Sequence, residues 1–297
     1  MSTARLIDGK LISAQIHSET QARTLALREK HGVTPGITFV RVGEDPASQA
    51  YVKMKGSKAA ELGIRSDTKV LPEKTTQAEL LALIDQLNRD PAVHGILVQA
   101  PLPKHLKEDE IFSAIDYRKD VDGFHPVNVG KLLLGQDPLF KPCTPAGVHE
   151  LLIRTGVPTS GAEVVVLGRG NIVGKPMAAI LLQKDKHADA TVTLLHSRSK
   201  NIAEHCRRAD IIIAAMGQAH FVKADMVKPS AVVIDVGVNR IDDPTAKKGY
   251  RLVGDVDFEA VSQVAGAITP NPGGVGPMTI AMLLSNTARA AEMSSGR

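Results

Sequence analysis

The stretch from Val164 to Met177, VVVLGRGNIVGKPM, constrains the fold most, because an apolar run breaks into glycines and then resumes with helical character. Residues 164–167 are valine or leucine, which is typical of a strand buried on both faces. Glycines at such a strand-to-helix turn let the backbone approach a diphosphate, whose charge is met by free N–H groups at the helix start. The stretch predicts a dinucleotide site. An ordinary strand–loop–helix joint stays open, since the spacing is GxGxxxG rather than GxGxxG.

Strands and helices alternate along the rest of the chain, and its 297 residues suffice for two domains. The strands are predicted at 36–42, 66–71, 93–99, 163–167, 191–195, 210–215, 231–236, near 252 and at 266–269. Several of them are apolar throughout, which predicts an α/β fold with parallel sheets covered on both faces. The polar, turn-rich segment 116–128 predicts a junction, giving domains at 1–122 and 123–285, and a terminal helix at about 278–292 is expected to pack back on the first domain.

Composition excludes several classes of protein. The chain has no apolar run of membrane-spanning length and no signal-peptide core, so we expect a cytoplasmic protein without a membrane partner. Two cysteines, Cys143 and Cys206, are too few for a disulfide framework, and without an HExxH or EF-hand pattern we expect no metal. A net charge of +4 with no tryptophan argues against nucleic-acid binding. It fits an anionic small ligand, although a slightly basic solvated surface explains it equally well.

Tyr51 and Lys55 lie four residues apart on the helix predicted after the first strand, so both side chains project from one face. A lysine walled by tyrosine and small apolar residues is partly desolvated, which favours the neutral amine and suits it to acid–base chemistry. From spacing alone, the favoured interpretation is that Tyr51 packs and Lys55 extends to water.

Three polar residues follow predicted strand or junction ends. Gln99 ends the strand VHGILVQ, at the edge where open α/β sheets bind ligands, and could hold a lysine amine or a substrate carbonyl. Asp120 and Asp122 lie at the junction, where a carboxylate could accept hydrogen bonds from an amino-heterocycle. The alternative for Gln99 is that it satisfies nearby backbone groups, and for the two aspartates taken in isolation turn formation is the favoured interpretation.

The strand after the glycine turn predicts the cofactor. An NAD site typically places Asp or Glu at this strand end to bind the ribose 2′-hydroxyl, but TVTLL is followed by His196, Ser197 and Arg198. Together with Arg169, these residues suit a 2′-phosphate, because arginine offers a planar fork of donors. We therefore predict NADP. Further on, residues 272–279 (PGGVGPMT) are too rich in glycine and proline for a regular element and could close over a nicotinamide or phosphate, or form a plain turn.

Taken together, these segments resemble the bifunctional methylenetetrahydrofolate dehydrogenase/methenyltetrahydrofolate cyclohydrolase family, the FolD family. The resemblance rests on VGEDPASQAYVKMK, VHGILVQAPLP, KDVDGFHPVNVGKL, PCTPAGV, GRGNIVGKPM, VIDVGVNR, VGDV and TPNPGGVGPMT in this order. It implies an N-terminal α/β catalytic domain, a C-terminal Rossmann-like NADP domain, a cleft between them and a homodimer formed through the second domain. One departure is visible, since the family usually has serine where this chain has Gly170.

Carried over residue by residue, the resemblance implies that Lys55 is the catalytic lysine, that Gln99 orients it and that Tyr51 lines the pterin pocket. Asp122 would anchor the amino edge of the pterin. The implied folate contacts are these four residues with Pro272, Gly273 and Gly276. The implied NADP contacts are Thr144, Gly168, Arg169, Gly170, Ser197, Arg198, Val238 and Thr279.

The resemblance also implies the reaction. NADP⁺ oxidises 5,10-methylenetetrahydrofolate to the methenyl cation, which is hydrolysed to 10-formyltetrahydrofolate for one-carbon metabolism and purine biosynthesis. Three alternatives stay open: another two-domain NADP oxidoreductase resembling shikimate dehydrogenase, an enzyme with only one of the two activities, and a dinucleotide-sensing module without turnover.

Overall fold

The computed structural model describes residues 4–246 and 249–296, which divide into two compact units interleaved in sequence. The three-stranded unit comprises residues 14–131, 136–143 and 280–296, and the six-stranded unit comprises residues 4–13, 132–135 and 144–279. This interleaving differs from the predicted division after residue 122. The N-terminal residues join the six-stranded unit because the strand Arg5–Leu6 pairs with Ala267–Ile268 there.

The three-stranded unit is built on a parallel sheet of order β3-β2-β4. Its elements are most of α1 (Gly9–His31), β2 (Gly36–Val42), α2 (Pro46–Glu61), β3 (Arg65–Leu71), α3 (Gln77–Arg89), β4 (Gly95–Val98), α4 (Glu108–Ala114), most of α5 (Pro126–Leu133) and residues 280–294 of α10 (Val275–Ser294). All seven residues of the central strand β2 are buried, and only Thr38 and Arg41 among them are polar. The edge strand β3 is largely exposed.

Local chemistry fixes where the helices of this unit begin. Asp45 caps α2 by accepting a hydrogen bond from the Ser48 amide at 2.7 Å, with Pro46 at the first helical position. Thr76 and Glu79 form the predicted capping box of α3. The cap at Asp45 sets the start of α2, the helix that carries Tyr51 and Lys55.

The six-stranded unit contains one parallel sheet of order β1-β11-β8-β7-β5-β6 and a separate antiparallel pair, β9 and β10. Its elements are β1 (Arg5–Leu6), α6 (Cys143–Arg154), β5 (Glu163–Leu167), α7 (Gly174–Leu181), β6 (Thr191–Leu195), α8 (Ile202–Arg208), β7 (Ile211–Ala214), a 3₁₀ turn (Ala224–Met226), β8 (Val232–Asp235), β9 (Asn239–Asp242), β10 (Tyr250–Val253), α9 (Phe258–Val261) and β11 (Ala267–Ile268). The predicted two-domain α/β fold with parallel sheets is confirmed.

The order of the strands marks one edge of the six-stranded sheet. Strand β5 lies between β6 and β7, so the chain moves first to one side of β5 and then to the other. Ligands of open parallel sheets bind at the carboxyl ends of the strands where the order reverses in this way. The glycines that follow Leu167 lie at this point.

Several predicted boundaries are wrong by one or more residues. The strand predicted at 93–99 is Gly95–Val98, so Gln99 follows the strand and does not end it. The helix predicted to begin at Thr144 begins one residue earlier, so Thr144 lies inside its first turn. The segment 272–279 was predicted to be irregular, but α10 already begins at Val275, because the first turn of a helix tolerates a proline such as Pro277, whose missing N–H needs no partner there.

Within residues 4–246 and 249–296, no helix combines the length and the apolar character needed to cross a membrane. The same residues contain no group of three or more His, Cys, Asp or Glu side chains placed to hold a metal ion.

Candidate functional site

Lys55 is a buried lysine held by two neighbours in the three-stranded unit. Only 4% of the residue is exposed, and its Nζ donates a hydrogen bond to Gln99 Oε1 at 3.1 Å. The ammonium lies 4.5 Å from the centre of the Tyr51 ring, as the spacing of four residues on α2 allows. The amide of Gln99 is oriented in turn, since its Nε2 donates to the Ala100 carbonyl at 2.6 Å. The structure therefore brings Tyr51, Lys55 and Gln99 together.

Lys55 and Asp122 influence each other's charge. Burial lowers the pKa of Lys55, and the negative charge of Asp122 partly opposes this shift. Burial likewise raises the pKa of Asp122, against the positive charge of Lys55. Because burial favours the neutral form of both groups, a larger fraction of Lys55 is present as the neutral amine than in a solvated lysine.

Tyr51 stays protonated at neutral pH, because burial and the nearby carboxylate raise its pKa to about 12. Its hydroxyl is therefore a hydrogen-bond donor and not a base under ordinary conditions. Tyr51 supplies a ring face and a polar edge beside the lysine, which suits a flat heterocyclic ligand.

The backbone around Asp122 is held by hydrogen bonds from residues distant in the sequence. The Cys143 amide donates to the Asp122 carbonyl at 3.2 Å, and the Cys143 thiol donates to the Val121 carbonyl at 3.2 Å. Asn286 of α10 also donates to the Val121 carbonyl, at 2.8 Å. Cys143 and Asn286 lie 21 and 164 residues from Asp122, so no local pattern could have revealed this support.

In the six-stranded unit, the glycine turn after β5 has the tight geometry that a dinucleotide requires. Gly168 has φ +110°, and a Cβ there would collide with the Ala215 carbonyl, whereas a Cβ at Gly174 would collide with the Gly168 carbonyl. Gly170 differs, because nothing lies within 4 Å of a Cβ built on it. Residues 169–172 are exposed just before α7, which leaves backbone N–H groups open to an anion.

The candidate 2′-phosphate residues lie at neighbouring strand ends. Strands β5 and β6 pair in register through Leu167 and Leu195, and the Gly168 amide donates to the Leu195 carbonyl at 2.8 Å. The turn after β6 is closed by a hydrogen bond from the Ser199 amide to the His196 carbonyl at 2.8 Å. Arg169, Ser197 and Arg198 are all exposed at this edge, so the residues present fit an NADP phosphate.

The remaining predicted site residues also lie in the six-stranded unit. The hydroxyls of Thr144 and Thr279 share a hydrogen bond of 2.9 Å, which joins the starts of α6 and α10. Val238, between β8 and β9, is 67% exposed. Of the three predicted folate contacts outside the lysine cluster, Pro272 and Gly276 are exposed, whereas Gly273 is buried with φ +110°.

The predicted site residues thus form two sets. Tyr51, Lys55, Gln99 and Asp122 form an acid–base cluster within the three-stranded unit. The glycine turn, the arginines, Val238, the paired threonines and residues 272–276 belong to the six-stranded unit. The first set can move protons, and the second can hold a dinucleotide.

Comparison with known families assigns both parts of the chain. Residues 7–122 match the tetrahydrofolate dehydrogenase/cyclohydrolase catalytic domain, and residues 142–295 match the NAD(P)-binding domain of the same family. The bifunctional protein FolD of Chlorobium luteolum is 56% identical over 292 residues, which cover 98% of this chain and 99% of that protein.

Two solved structures are similar along their whole length. The bifunctional methylenetetrahydrofolate dehydrogenase/cyclohydrolase of Campylobacter jejuni superposes with a TM-score of 0.92 at 48% identity, covering 98% of this chain and 99% of that one. The Trypanosoma brucei enzyme, solved with NADP cofactor and an inhibitor, gives a TM-score of 0.95 at 40% identity and full coverage of both chains.

Proposed function

The chain belongs to the tetrahydrofolate dehydrogenase/cyclohydrolase family, and from this premise we propose that it oxidises 5,10-methylenetetrahydrofolate with NADP⁺ and then hydrolyses the product to 10-formyltetrahydrofolate. The observation that carries the proposal is the buried Lys55, held by Gln99 beside the Tyr51 ring and the Asp122 carboxylate. Family membership favours this function over a shikimate-dehydrogenase-like enzyme and over a module without turnover.

The oxidation needs little acid–base help from the protein. Bound NADP⁺ would accept the hydride that leaves the methylene carbon. The positive charge left on the folate is shared by N5 and N10, so the chain's contribution is to hold the two rings in place. We assign this holding to Tyr51 and Asp122 for the pterin. For the dinucleotide, we assign it to the residues Thr144, Gly168, Arg169, Gly170, Ser197, Arg198, Val238 and Thr279.

The hydrolysis needs proton transfers, and Lys55 is placed to perform them. Water adds to the methenyl carbon and loses a proton to the neutral Lys55 amine. The same proton then passes to the departing ring nitrogen, N5, as the bond between N5 and the carbon breaks, and the hydroxyl proton of the adduct is released to solvent as the formyl group forms on N10. The cationic substrate and one water thus give neutral 10-formyltetrahydrofolate and one proton. Gln99 holds the amine through its carbonyl oxygen, which accepts a hydrogen bond from Lys55 in either charge state.

The choice of NADP rests on the charges at the ends of β5 and β6. Arg169, Ser197 and Arg198 offer donors to a 2′-phosphate, and no carboxylate occupies the position after β6 that would bind a 2′-hydroxyl. We also assign folate contacts to Pro272, Gly273 and Gly276.

We further propose a homodimer formed through the second domain, a cytoplasmic location and a role of the formyl product in purine biosynthesis. Sedimentation analysis tests the dimer, and a monomer at micromolar concentration would contradict it.

The function is tested by following NADPH absorbance after mixing purified protein with methylenetetrahydrofolate and NADP⁺, with NAD⁺ in a parallel reaction. We expect NADPH to form and the reaction with NAD⁺ to be at least about tenfold less efficient, equivalent to roughly one phosphate-directed charged hydrogen bond. Equal or better use of NAD⁺ would contradict the cofactor assignment, and no reaction with either would contradict the function.

A further inference from the structure

Two buried aspartates connect the loops at the carboxyl edge of the six-stranded sheet, and no step of the proposed chemistry uses either of them. Asp255 is fully buried and Asp235 is 3% exposed. Buried carboxylates are retained in proteins only where hydrogen bonds compensate for the lost hydration. Their partners therefore indicate what each one does.

Asp255 gathers the loop that follows β7. Its Oδ2 accepts hydrogen bonds from the amides of Met216 at 2.6 Å and Gly217 at 3.0 Å, and its Oδ1 accepts from the amide of Gln218 at 2.9 Å. Oδ1 also accepts from Asn239 Nδ2 at 2.8 Å, at the first residue of β9. One side chain thus fixes the backbone of the loop after β7 and a side chain at the start of β9.

Asp235, the last residue of β8, fixes the segments around Asp255. Its Oδ1 accepts from the amides of Gly237 at 3.0 Å and Asp255 at 2.9 Å, and its Oδ2 accepts from the Val256 amide at 3.2 Å. Its own amide donates to Thr269 Oγ1 at 2.8 Å, next to β11. The two carboxylates therefore form one connected network.

Glycines make room for this network. A Cβ at Gly237 would collide with the Asp255 carboxylate, and a Cβ at Gly254 would collide with that of Asp235. The Asn271 side chain donates to the Gly237 carbonyl at 2.6 Å, which ties the loop after β11 to the same network. VIDVGVNR and VGDV, which contain these aspartates and glycines, are thus explained by one structural feature.

The network lies directly behind the candidate dinucleotide residues. Gly168 packs closely on the loop after β7: a Cβ added to it would collide with the Ala215 carbonyl and would lie 3.4 Å from the Met216 nitrogen. That nitrogen donates its hydrogen bond to Asp255. On the other side, exposed Val238 lies between Gly237 and Asn239, which the two aspartates hold.

We infer that Asp235 and Asp255 are positioning residues for the dinucleotide: they set residues 216–218 and 237–239 in the conformation that receives the cofactor, without touching it. This inference rests on the proposed use of NADP. The two carboxylates then contribute to the affinity for the dinucleotide and take no part in the proton transfers of Lys55.

The test uses the full chain with Asp255→Asn and, as a milder variant, Asn239→Ala, which removes only the hydrogen bond from the start of β9 to Asp255. Asp210→Asn is the matched control, because Asp210 accepts the Glu163 amide at 2.8 Å at the opposite, amino edge of the same sheet. Each protein is titrated with NADPH by the enhancement of NADPH fluorescence, and its hydrolysis of methenyltetrahydrofolate is measured without dinucleotide. Thermal unfolding establishes that each variant is folded.

We expect NADPH binding to weaken about tenfold in Asp255→Asn, since an amide cannot accept from all the N–H groups that a carboxylate accepts. In Asn239→Ala, which loses a single donor to Asp255, we expect NADPH binding to weaken about threefold. Hydrolysis should change much less than binding, and Asp210→Asn should bind NADPH as the wild type does.

Unchanged NADPH affinity in folded Asp255→Asn would overturn the inference. A proportional loss of affinity and hydrolysis would also overturn it, because it would show only a structural role. If Asp255→Asn does not fold, Asn239→Ala decides by the same criteria. A wild type that binds NADPH but does not convert folate would contradict the proposed function alone, since the titrations still test the positioning role.

Discussion

At the scale of single residues, the sequence predicted the neighbours of Lys55 better than its burial. The spacing of Tyr51 and Lys55 placed them on one face of a helix, and the strand end placed Gln99 nearby, both of which the structure shows. The favoured interpretation from spacing alone, that Lys55 extends to water, is wrong, because the residue is 4% exposed. Local spacing could not reveal the burial, which depends on tertiary packing.

The pH dependence of hydrolysis should report the charge of Asp122. That carboxylate raises the pKa of Lys55 against the effect of burial, so Asp122→Asn should lower the pKa of the amine further. The rate of methenyltetrahydrofolate hydrolysis rises with pH as the amine loses its proton, and in the variant this rise should move to lower pH. Asp116→Asn, which removes a partly buried carboxylate paired with Arg118, is the control. A profile that does not move would contradict the coupling.

The loss of Asp122 should also weaken folate binding. We expect Asp122→Ala to raise the dissociation constant of a folate ligand by about tenfold or more, because a charged hydrogen bond to the pterin is lost. NADPH affinity, measured in the same preparation, serves as the control. An unaltered folate affinity would argue against the anchoring role of Asp122.

Two glycines of the same turn should respond oppositely to serine. Gly170→Ser should keep the wild-type melting temperature, because a Cβ there meets nothing within 4 Å, and should lower the KM for NADP⁺ by adding a hydroxyl donor. Gly168→Ser should lose more than about 2 kcal/mol of stability, since its φ of +110° is strained for serine and its Cβ would meet the Ala215 carbonyl. Thermal unfolding of both variants tests the contrast, and equal melting temperatures would contradict it.

At the scale of elements, long apolar strands and capped helices were predictable, but very short strands were not. Strands β2, β5 and β6 have the predicted bounds, because apolar composition and flanking turn residues agree there. Strand β1 is two residues long, and three of the four residues of β9 (NRID) are polar, so neither carries a periodic apolar pattern. They are strands only because β11 and β10 supply hydrogen-bonding partners.

The part of α10 from Ile280 onward should be essential for the stability of the three-stranded unit. Leu284 is fully buried in a cluster that includes Phe39 of β2 and Leu97 of β4. Leu284→Ala should therefore cost about 2–5 kcal/mol in the free energy of unfolding. The control on the same helix is Arg289→Ala, which removes a side chain that is 44% exposed and should change stability by less than about 1 kcal/mol. Denaturant titration measures both, and a mild effect of Leu284→Ala would contradict this packing.

At the scale of the whole molecule, the sequence predicted two α/β domains but not how the chain passes between them. Covalent order places residues 4–13 far from residues 266–279, whereas β1 completes the six-stranded sheet beside β11. The network of Asp235 and Asp255 was missed for the same reason. Its N–H donors come from loops up to 39 residues away, and nothing in the local sequence marks a backbone amide as a partner.

Stability should depend on pH through Asp120. Burial raises the pKa of this carboxyl to about 7, although it accepts hydrogen bonds from the amides of Phe124 and His125 and from Asn128. Between the ordinary pKa of an aspartate and 7, the folded chain holds a proton that the unfolded chain has lost, so raising the pH lowers the free energy of unfolding. Compared with Asp120→Asn, which keeps a neutral group, the wild type should lose a few kcal/mol from pH 4 to pH 7. Denaturation curves at each pH measure the difference, and parallel pH profiles would contradict it.

The central claim, that one chain performs oxidation and hydrolysis with Lys55 acting in the second step, is tested most directly by one absorbance time course. Wild type and Lys55→Met are each mixed with methylenetetrahydrofolate and NADP⁺, and NADPH and the methenyl chromophore are followed together. We expect the wild type to form NADPH without accumulating the chromophore. Lys55→Met should form NADPH and accumulate methenyltetrahydrofolate, because the amine that accepts the proton of water is gone. Hydrolysis at the wild-type rate in Lys55→Met would contradict the account.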